Sequence, residues 1–484
     1  MRMRLALLVF LLPCLIEADK LPLCSDNCSC IFVNDTLVSR VTCTKDVKDL
    51  VMSNSTWINP ATNKPYPYLA ITLTNQNFIE LNFTFPDSDV TYLNLANNDI
   101  YRIRGGVFQD LQSMEVLILS SNDLELLSPD AFRGKYMPER YEPLKSLVEL
   151  RLDHNRLHSL NMDIFEHTTD LEILDLSYNP FKVLDPHTIM AIDSLPQLKE
   201  LYLGYTQIST LPELMLHTPL YLSILDLSGN PIDKVPETLA ESHNLTELYL
   251  NDTSFVNMTK ENGFPDIPSL QVLHLCHMQH LERIEKGALS GLINLYELRI
   301  SDNIKLTHLD GDVLKNNDDV NGGGSWPMIR KLHLGNNKLS YLDSEVIARW
   351  DQLIELDIRA NPWTCECENQ WIVDELIPRY QKIDQVKASQ VRCGAPIEMV
   401  SYTLQELKDR NYQMRCLDEY GAHPEKDALL LVGILAGVLI AIPLILLGIY
   451  AYQKRWFGLF SMCDNSPAAY SRRYYNATAK EEDF

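Results

Sequence analysis

The sequence predicts an α/β solenoid, a curved horseshoe with a parallel β-sheet on its concave side, a disulfide-linked cap at each end and one transmembrane helix. Three observations predict this architecture. A leucine motif recurs about twelve times, cysteines cluster before and after these repeats, and a long uncharged apolar segment follows the second cysteine cluster. Because stacked repeats bury one continuous core, the 484 residues need not form several separate domains.

The repeated unit reads L-x-x-L-x-L-x-x-N-x-L and fills residues 68–360, mostly at a spacing of 23–27 residues. In x-L-x-L-x the two leucines share one face of a strand, because side chains alternate along it. The Asn that follows can bond free backbone groups of neighbouring turns, since its amide both donates and accepts. Copies begin at Tyr68, Val90, Met114, Leu147, Leu171, Leu198, Leu222, Leu245, Leu270, Leu295, Ile329 and Leu353.

Cysteines stand on both sides of the repeats. An open solenoid exposes its core at both ends and needs caps, and small segments without a core use disulfides in an oxidising compartment. We therefore predict an N-terminal cap over residues 19–67 and a C-terminal cap over residues 361–416. Zinc binding by the first four cysteines is the alternative, which secretion disfavours. The eight residues are Cys24, Cys28, Cys30, Cys43, Cys365, Cys367, Cys393 and Cys416.

These repeats and cysteine clusters resemble the extracellular leucine-rich repeat family, in its single-pass transmembrane form with cysteine-rich caps. The resemblance spans nearly all of residues 24–416 and is specific for the fold but weak for the ligand. It implies a recognition or adhesion receptor. It also implies four disulfides, whose connectivity the spacing alone leaves open. The implied pairs are Cys24–Cys30, Cys28–Cys43, Cys365–Cys393 and Cys367–Cys416.

One extracellular cysteine, Cys276, is left without a predicted partner. An odd cysteine outside the cell indicates an intermolecular disulfide or a free thiol. An unreactive, half-covered thiol is the simpler interpretation, because cysteine is commonly buried.

The two apolar segments predict how the chain meets a membrane. Residues 1–18 have a basic start, an apolar run and a small residue at the end, as in a secretory signal peptide. Residues 428–452 carry no charge and exceed the ~20 residues that span a bilayer. Basic residues follow this segment, so the tail 453–484 is predicted in the cytoplasm and the repeats outside the plasma membrane. Residues 417–427 form a juxtamembrane stalk.

Composition and motifs disfavour several classes of function. The formal net charge of −23 repels phosphate backbones, so nucleic acid is a poor candidate for a partner. The sequence shows neither a Gly-flanked nucleophile nor metal-spaced histidines nor a phosphate loop. We therefore predict neither catalysis, nor a cofactor, nor a metal site.

Alternation along the strands lets the concave face be read from the sequence. Tyr202, Tyr205 and Tyr249 are predicted to supply aromatic area near its centre, and tyrosine is enriched in recognition hot spots. His274, Arg299 and His333 are predicted to form a mildly basic stripe further along. The alternative is ordinary decoration of a half-exposed sheet, because tyrosine favours strands. The candidate ligand-binding residues are Tyr202, Tyr205, Tyr249, His274, Arg299 and His333.

Six of the Asn-x-Ser/Thr triplets in the predicted ectodomain are taken as candidate glycosylation sites. Three fall within residues 241–260, which also hold one copy of the repeat. The middle one, Asn251, is predicted to lie on the concave face beside Cys276, where a glycan would cover Tyr249. Its partner Thr253 takes the place of the repeat Asn, so the triplet also has a structural interpretation. The six are Asn34, Asn54, Asn82, Asn244, Asn251 and Asn257.

These observations predict a cell-surface recognition or adhesion receptor whose repeats bind a protein ligand, either secreted or on another cell. Two alternatives stay open: an accessory subunit of a channel or signalling receptor, and an innate-immune co-receptor or decoy. Gly433 and Gly437 lie four residues apart in the apolar segment, and small residues at that spacing let two membrane helices approach closely. Dimerisation through this face is therefore a further hypothesis.

Overall fold

The computed structural model describes residues 21–24, 27–34, 37–44, 46–316, 324–416 and 424–454. The predicted signal peptide, stalk residues 417–423 and tail residues 455–484 lie outside the described residues. The chain divides into two compact units. The first comprises Met1–Cys365 and Asn369–Tyr412, and the second Glu366–Glu368 and Gln413–Phe484.

One sheet of fourteen strands runs through the first unit in chain order. The first two strands are antiparallel, and all later neighbours are parallel. This arrangement confirms the predicted solenoid of parallel strands. The strands are Cys28–Asn34, Leu37–Cys43, Ala70–Thr72, Tyr92–Asn94, Val116–Ile118, Glu149–Arg151, Ile173–Asp175, Glu200–Tyr202, Ile224–Asp226, Glu247–Tyr249, Val272–His274, Glu297–Arg299, Lys331–His333 and Glu355–Asp357.

The last twelve strands have three residues each, and each buries its central side chain under the sheet. Their first and third residues point the other way, mostly half-exposed, and together they make what we call the open face. Each buried leucine stabilises the fold by about 1.5–3 kcal/mol. The buried central residues are Ile71, Leu93, Leu117, Leu150, Leu174, Leu201, Leu225, Leu248, Leu273, Leu298, Leu332 and Leu356.

A buried ladder of asparagines joins the turns that follow the strands. Asn179 is typical: its Nδ2 donates to the carbonyls of Leu152 and Leu176, both at 2.9 Å, and its Oδ1 accepts from the backbone N–H of Leu157 at 2.9 Å. Each such amide satisfies backbone groups that would otherwise be buried without partners. The ladder residues are Asn98, Asn122, Asn155, Asn179, Asn230, Asn303, Asn337 and Asn361.

Behind the sheet the repeats are closed by loops, short strands and one longer helix. Phe85, Phe108 and Phe132 stack along this side at centroid distances of 5.8 and 6.3 Å. The helix Pro186–Asp193 begins with proline, and the Asp185 side chain caps it by accepting from two backbone N–H groups. Two small sheets lie among these loops. One pairs Glu80–Leu81 with Arg102–Ile103, and the other contains, in order, Asn257–Met258, Arg283–Ile284 and His308–Leu309.

An insertion between two repeats folds into a hairpin of its own. Its strands Lys135–Met137 and Arg140–Glu142 are antiparallel, and Tyr136 packs edge-on against Tyr141 at 5.3 Å. A second insertion holds residues 317–323, which lie outside the described residues.

Both ends of the solenoid carry disulfides. Cys28–Cys43 joins the first antiparallel strand pair, and Cys24–Cys30 connects the preceding segment to the first strand. Cys365, directly after the strand Trp363–Thr364, is bonded to Cys393 of its paired strand Cys393–Ala395. With Cys367–Cys416 in the second unit, these are the four pairs that the resemblance implies. The other short elements are Lys48–Val51, Asn54–Trp57, Ile58–Asn59, Lys64–Pro65, Glu237–Glu241, Trp350–Gln352, Cys367–Asn369, Ile372–Leu376, Ile377–Ile383, Gln385–Ala388 and Leu404–Asp409.

The second unit contains a long apolar helix, Pro424–Lys454. Its segment Leu430–Ala451 has 22 residues and a mean hydropathy of 3.0, which makes it long and apolar enough to cross a membrane. Pro443 lies inside the helix, where its missing N–H removes one backbone hydrogen bond.

Candidate functional site

Five of the six predicted ligand-binding residues share one register row of the open face. Strand pairing aligns Tyr202 with Asp226, Asp226 with Tyr249, and Tyr249 with His274. The same row continues through Arg299 to His333. Adjacent strands are about 4.8 Å apart, so each member of the row neighbours the next. We call these six residues, Asp226 included, the central row.

Two tyrosines of the central row are fixed by carboxylates on their own strands. The Tyr202 hydroxyl donates to Glu200, and the Tyr249 hydroxyl donates to Glu247, each at 2.7 Å. Burial raises the pKa of both hydroxyls, and the hydrogen-bonded carboxylates raise it further. Both tyrosines therefore stay neutral at physiological pH, with half-exposed rings that are already ordered.

A cluster of ion pairs occupies the C-terminal part of the open face. Glu297 lies at its centre, only 6% exposed, and its carboxylate accepts from Arg299 at 2.5 Å and from Lys331 at 2.9 Å. His274 Nε2 lies 3.4 Å from the same carboxylate. Burial by itself raises the pKa of Glu297, but the hydrogen bonds from Lys331 and Arg299 prevail and hold its pKa at about 2.

This cluster corrects the predicted basic stripe of His274, Arg299 and His333. The Arg299 charge is paired with Glu297 and is not free to attract an anion. Burial lowers the pKa of both histidines, and the Arg299 charge lowers it further, which favours neutral rings. His333 Nε2 is 3.3 Å from a Glu355 oxygen but is not aligned for a hydrogen bond. The sequence pattern placed these side chains on the open face but did not show that the buried Glu297 carboxylate pairs with Arg299 and Lys331.

Tyr205 needs a second correction, because it is not a residue of the open face. The strand ends at Tyr202, and Tyr205 lies in the following turn with a positive φ of 56°. Its ring stacks on Tyr178 at 4.5 Å, and Tyr178 stacks on His154 at 4.1 Å. Tyr178 and His154 were missed, although the sequence carries a signal for them: both stand immediately before the ladder Asn of their repeats.

Asn251 and Cys276 lie side by side just beyond the central row. The Asn251 Oδ1 accepts from the Cys276 N–H at 2.9 Å, and its Nδ2 donates to Ser228 Oγ at 3.3 Å. Thr253 is buried and its hydroxyl donates to the Leu250 carbonyl at 2.9 Å, as the structural interpretation requires. The Cys276 sulfur is unpaired, and burial raises the pKa of its thiol.

We expect Asn251 to be the least occupied glycan acceptor among the described ones. Its amide connects three repeats, whereas Asn54, Asn82, Asn244 and Asn257 are exposed. Asn244 Nδ2 also donates to the Leu220 carbonyl at 2.6 Å, but Asn244 is exposed, so folding competes with modification most strongly at the half-buried Asn251. Glycopeptide mass spectrometry of the protein from secretory cells measures occupancy at each acceptor. Occupancy at Asn251 equal to that of the other four acceptors would contradict this expectation. Asn34 is not compared, because its side chain lies outside the part of the chain that the structure describes.

Among the described residues, three side chains are close enough to hold a cation together: Glu285, His308 and Asp310, with ligand atoms within 4.8 Å of one another. Glu285 accepts a hydrogen bond from Arg283 at 2.6 Å, which lowers its carboxyl pKa. Ion pairing accounts for this group without a metal.

These features define a class of protein: a disulfide-capped solenoid of leucine repeats that presents ordered aromatic and charged side chains on an open sheet. Two segments of the chain match the leucine-rich repeat family. A family profile described as leucine rich repeat matches residues 88–135 and 145–199.

Two relatives illustrate the similarity. Tsukushi of Mus musculus is 30% identical over 212 residues, which cover 43% of this chain and 56% of Tsukushi. Decorin of Oryctolagus cuniculus is 31% identical over 186 residues, which cover 35% of this chain and 50% of decorin. The chain thus spans about half the length of these curated relatives.

Solved structures with similar folds include a leucine-rich repeat protein of Leptospira interrogans. It is 22% identical with a TM-score of 0.43, and the alignment covers 72% of this chain and 87% of that one. Human 5T4, also called trophoblast glycoprotein, is 24% identical with a TM-score of 0.36, with coverages of 63% and 89%.

Proposed function

We propose that this protein is a cell-surface receptor that binds a protein ligand through the open face of its repeats, with Tyr202 and Tyr249 as the main contacts. The observation that carries the proposal is the fixed geometry of these two rings. They stand two strands apart, about 10 Å, and each is held by a carboxylate on its own strand. Ordered tyrosines contribute contact area at a small entropic cost.

The remainder of the central row supports the same role. Asp226 lies between the tyrosines, and its carboxylate accepts from the Ser228 N–H at 2.8 Å. His274 packs edge-on against Tyr249 at 4.7 Å. Rigid polar groups beside aromatic area give a protein interface its specificity. The helix Pro424–Lys454 supplies the membrane anchor, with the repeats outside the cell and the tail in the cytoplasm.

Replacing both tyrosines with alanine should weaken binding of a protein partner at least tenfold, because each ring supplies hot-spot area. The full-length chain, displayed on transfected cells, is first screened against an array of purified secreted and cell-surface proteins. Affinities of the captured partner for wild type and for the Tyr202→Ala/Tyr249→Ala variant are then compared by titration on cells.

Tyr101→Ala is the matched control, because Tyr101 is also exposed (50%) and lies in the loop after its strand, away from the central row. It should leave affinity unchanged. Equal affinity of wild type and the double variant, with equal surface expression, would refute the central row as the binding site. Failure of the wild type to bind any protein on the array would count against the receptor proposal as a whole.

A further inference from the structure

Three aromatic rings on successive repeats form a continuous stack at the edge of the open face where the strands end. His154, Tyr178 and Tyr205 occupy the same turn position, with ring planes 16° and 9° apart. The centroid distances of 4.1 and 4.5 Å come close to the strand spacing of about 4.8 Å, so the solenoid itself brings the rings into stacking contact. We call these three residues the aromatic ladder.

The aromatic ladder is unusual for the backbone that carries it. All three residues have a positive φ between 54° and 56°, a region in which a bulky side chain such as tyrosine is strained and Asn, Asp, His and Gly are favoured. Other repeats mostly follow that preference. The residues with positive φ at the same position elsewhere are Asn75, Asn97, Ser121, Gly229, Asp252, His277, Asp302, Asn336 and Ala360.

Core packing does not account for the aromatic ladder. Tyr178 is 45% exposed and Tyr205 is 38% exposed, so a large part of each ring faces solvent. Stacking stabilises each pair of rings by only about 0.5–1.5 kcal/mol. Two strained, exposed tyrosines that extend the stack from His154 over successive repeats are therefore better explained by contact with another molecule.

The end of the aromatic ladder is held in place by the two repeats that follow. Gly229 has a φ of +70°, and a Cβ added there would lie 2.2 Å from the Tyr205 ring, so the absence of a side chain lets the ring cover this turn. The Tyr205 hydroxyl then donates to Asp252 at 3.3 Å. Burial raises the pKa of Tyr205 to about 12, and the Asp252 charge adds to the shift. The ring is thus ordered before any partner arrives.

The ring edges and the surrounding charges indicate what the ladder contacts. Both faces of Tyr178 are used inside the stack, and Tyr205 lies between Tyr178 and the Gly229 turn, which leaves mainly ring edges for a partner and disfavours stacking of sugar rings. Asp153 lies beside the first ring, where its carboxylate is 2.8 Å from His154 Nδ1 and accepts from the Ser120 hydroxyl at 2.5 Å, and Asp252 lies beside the last ring. Arg151, a nearby cation of the open face, is already bonded to Glu149 at 2.5 Å.

We propose that the aromatic ladder, with Asp153 and Asp252, is a second contact surface that binds a positively charged protein segment, one in which Arg or Lys alternates with apolar side chains. This inference rests on the proposed receptor function and extends it from the open face to the strand-end edge. The carboxylates attract the cations, and the ring edges pack against the apolar side chains. Arginine also combines a planar cation with apolar surface suited to aromatic neighbours.

The test uses full-length protein in lipid nanodiscs and a phage-displayed library of random twelve-residue peptides. The variant is Tyr178→Asn/Tyr205→Asn, because Asn97 and Asn336 show that Asn adopts this turn with φ of 54° and 57°. Peptides enriched on wild type should carry a net positive charge. They should bind the variant at least tenfold more weakly, whereas the Tyr101→Asn control retains their binding.

The thermal midpoint of the variant should match or exceed that of wild type, since Asn relieves the backbone strain, and this separates lost contact from lost folding. Enriched peptides without excess positive charge, or peptides that bind the variant as tightly as wild type, would overturn the ladder proposal. If the enriched peptides instead lose binding only to the Tyr202→Ala/Tyr249→Ala variant, the ladder proposal fails while the open-face function stands. No enrichment on wild type would overturn the ladder proposal, whereas the open-face function is decided by the protein array.

Discussion

Replacing Asn230 with alanine should lower the free energy of unfolding by about 3–5 kcal/mol, because several buried backbone groups lose their partners at once. Its Nδ2 donates to the carbonyls of Leu203 and Leu227 at 2.8 and 2.9 Å. Its Oδ1 accepts from the N–H groups of Thr206 and Ile208 at 3.0 and 3.1 Å. An alanine methyl group replaces none of these bonds, and water cannot enter a closed turn to do so.

The sequence supplies its own control for this prediction. Thr206 and Thr253 occupy the ladder position in neighbouring repeats, and each hydroxyl donates to one carbonyl of its own turn. Asn230→Thr should therefore recover part of the loss, to about half the effect of alanine. Urea denaturation of the detergent-solubilised protein, followed by tryptophan fluorescence, measures both variants. If the free energy of unfolding of the alanine variant lay within 1 kcal/mol of the wild-type value, the asparagine ladder would not stabilise the stacking of the repeats.

The fold could be predicted almost completely because its cause is local and repeated. The leucines at x-L-x-L-x define which strand face is buried, and the Asn that follows defines where each turn begins. Twelve copies of one weak pattern remove the ambiguity that a single copy would leave. The departures at Thr206 and Thr253 do not disturb the fold, since a hydroxyl can satisfy part of what the amide does.

The candidate site could be predicted only in part, and the reasons are physical. The alternation of side chains predicts which face of the sheet a residue occupies only within the strand itself. Each strand ends after three residues, so Tyr205 falls in a turn that the period of two does not describe. Tyr205 stands immediately before the asparagine-ladder position of its repeat, and this was the usable signal. The same alignment of the repeats points to His154 and Tyr178.

The ion-pair cluster was missed for a different reason. The sequence placed Glu297, Arg299 and Lys331 on adjacent open-face positions, but spacing does not say which long side chains meet. The outcome depends on burial: Glu297 is enclosed, and Arg299 and Lys331 both pair with it. Which charged side chains pair is therefore determined by the folded surface and cannot be read from any one repeat.

Replacing Glu297 with glutamine should lower the free energy of unfolding at pH 7 by about 2–3 kcal/mol. The amide keeps the shape of the side chain but removes its charge, so Arg299 and Lys331 lose their common partner and repel each other. The effect is at the low end for a buried ion pair because both cations are about one-third exposed. Glu247→Gln is the matched control, since Glu247 bonds only Tyr249 among these groups, and it should change stability by less than 1 kcal/mol.

The pH dependence gives this prediction a signature that simple loss of packing would lack. The folded-state pKa of Glu297, about 2, lies below its ordinary value of 4.5, so its contribution is fully present above pH 4.5 and is lost as the pH falls from there toward 2. The difference in stability between wild type and Glu297→Gln should therefore be constant from pH 5 to 7 and shrink below pH 4.5. Urea denaturation at each pH measures it. A difference that persists unchanged to pH 2.5 would mean that the carboxylate charge contributes nothing, and that the glutamine variant is weakened by shape alone.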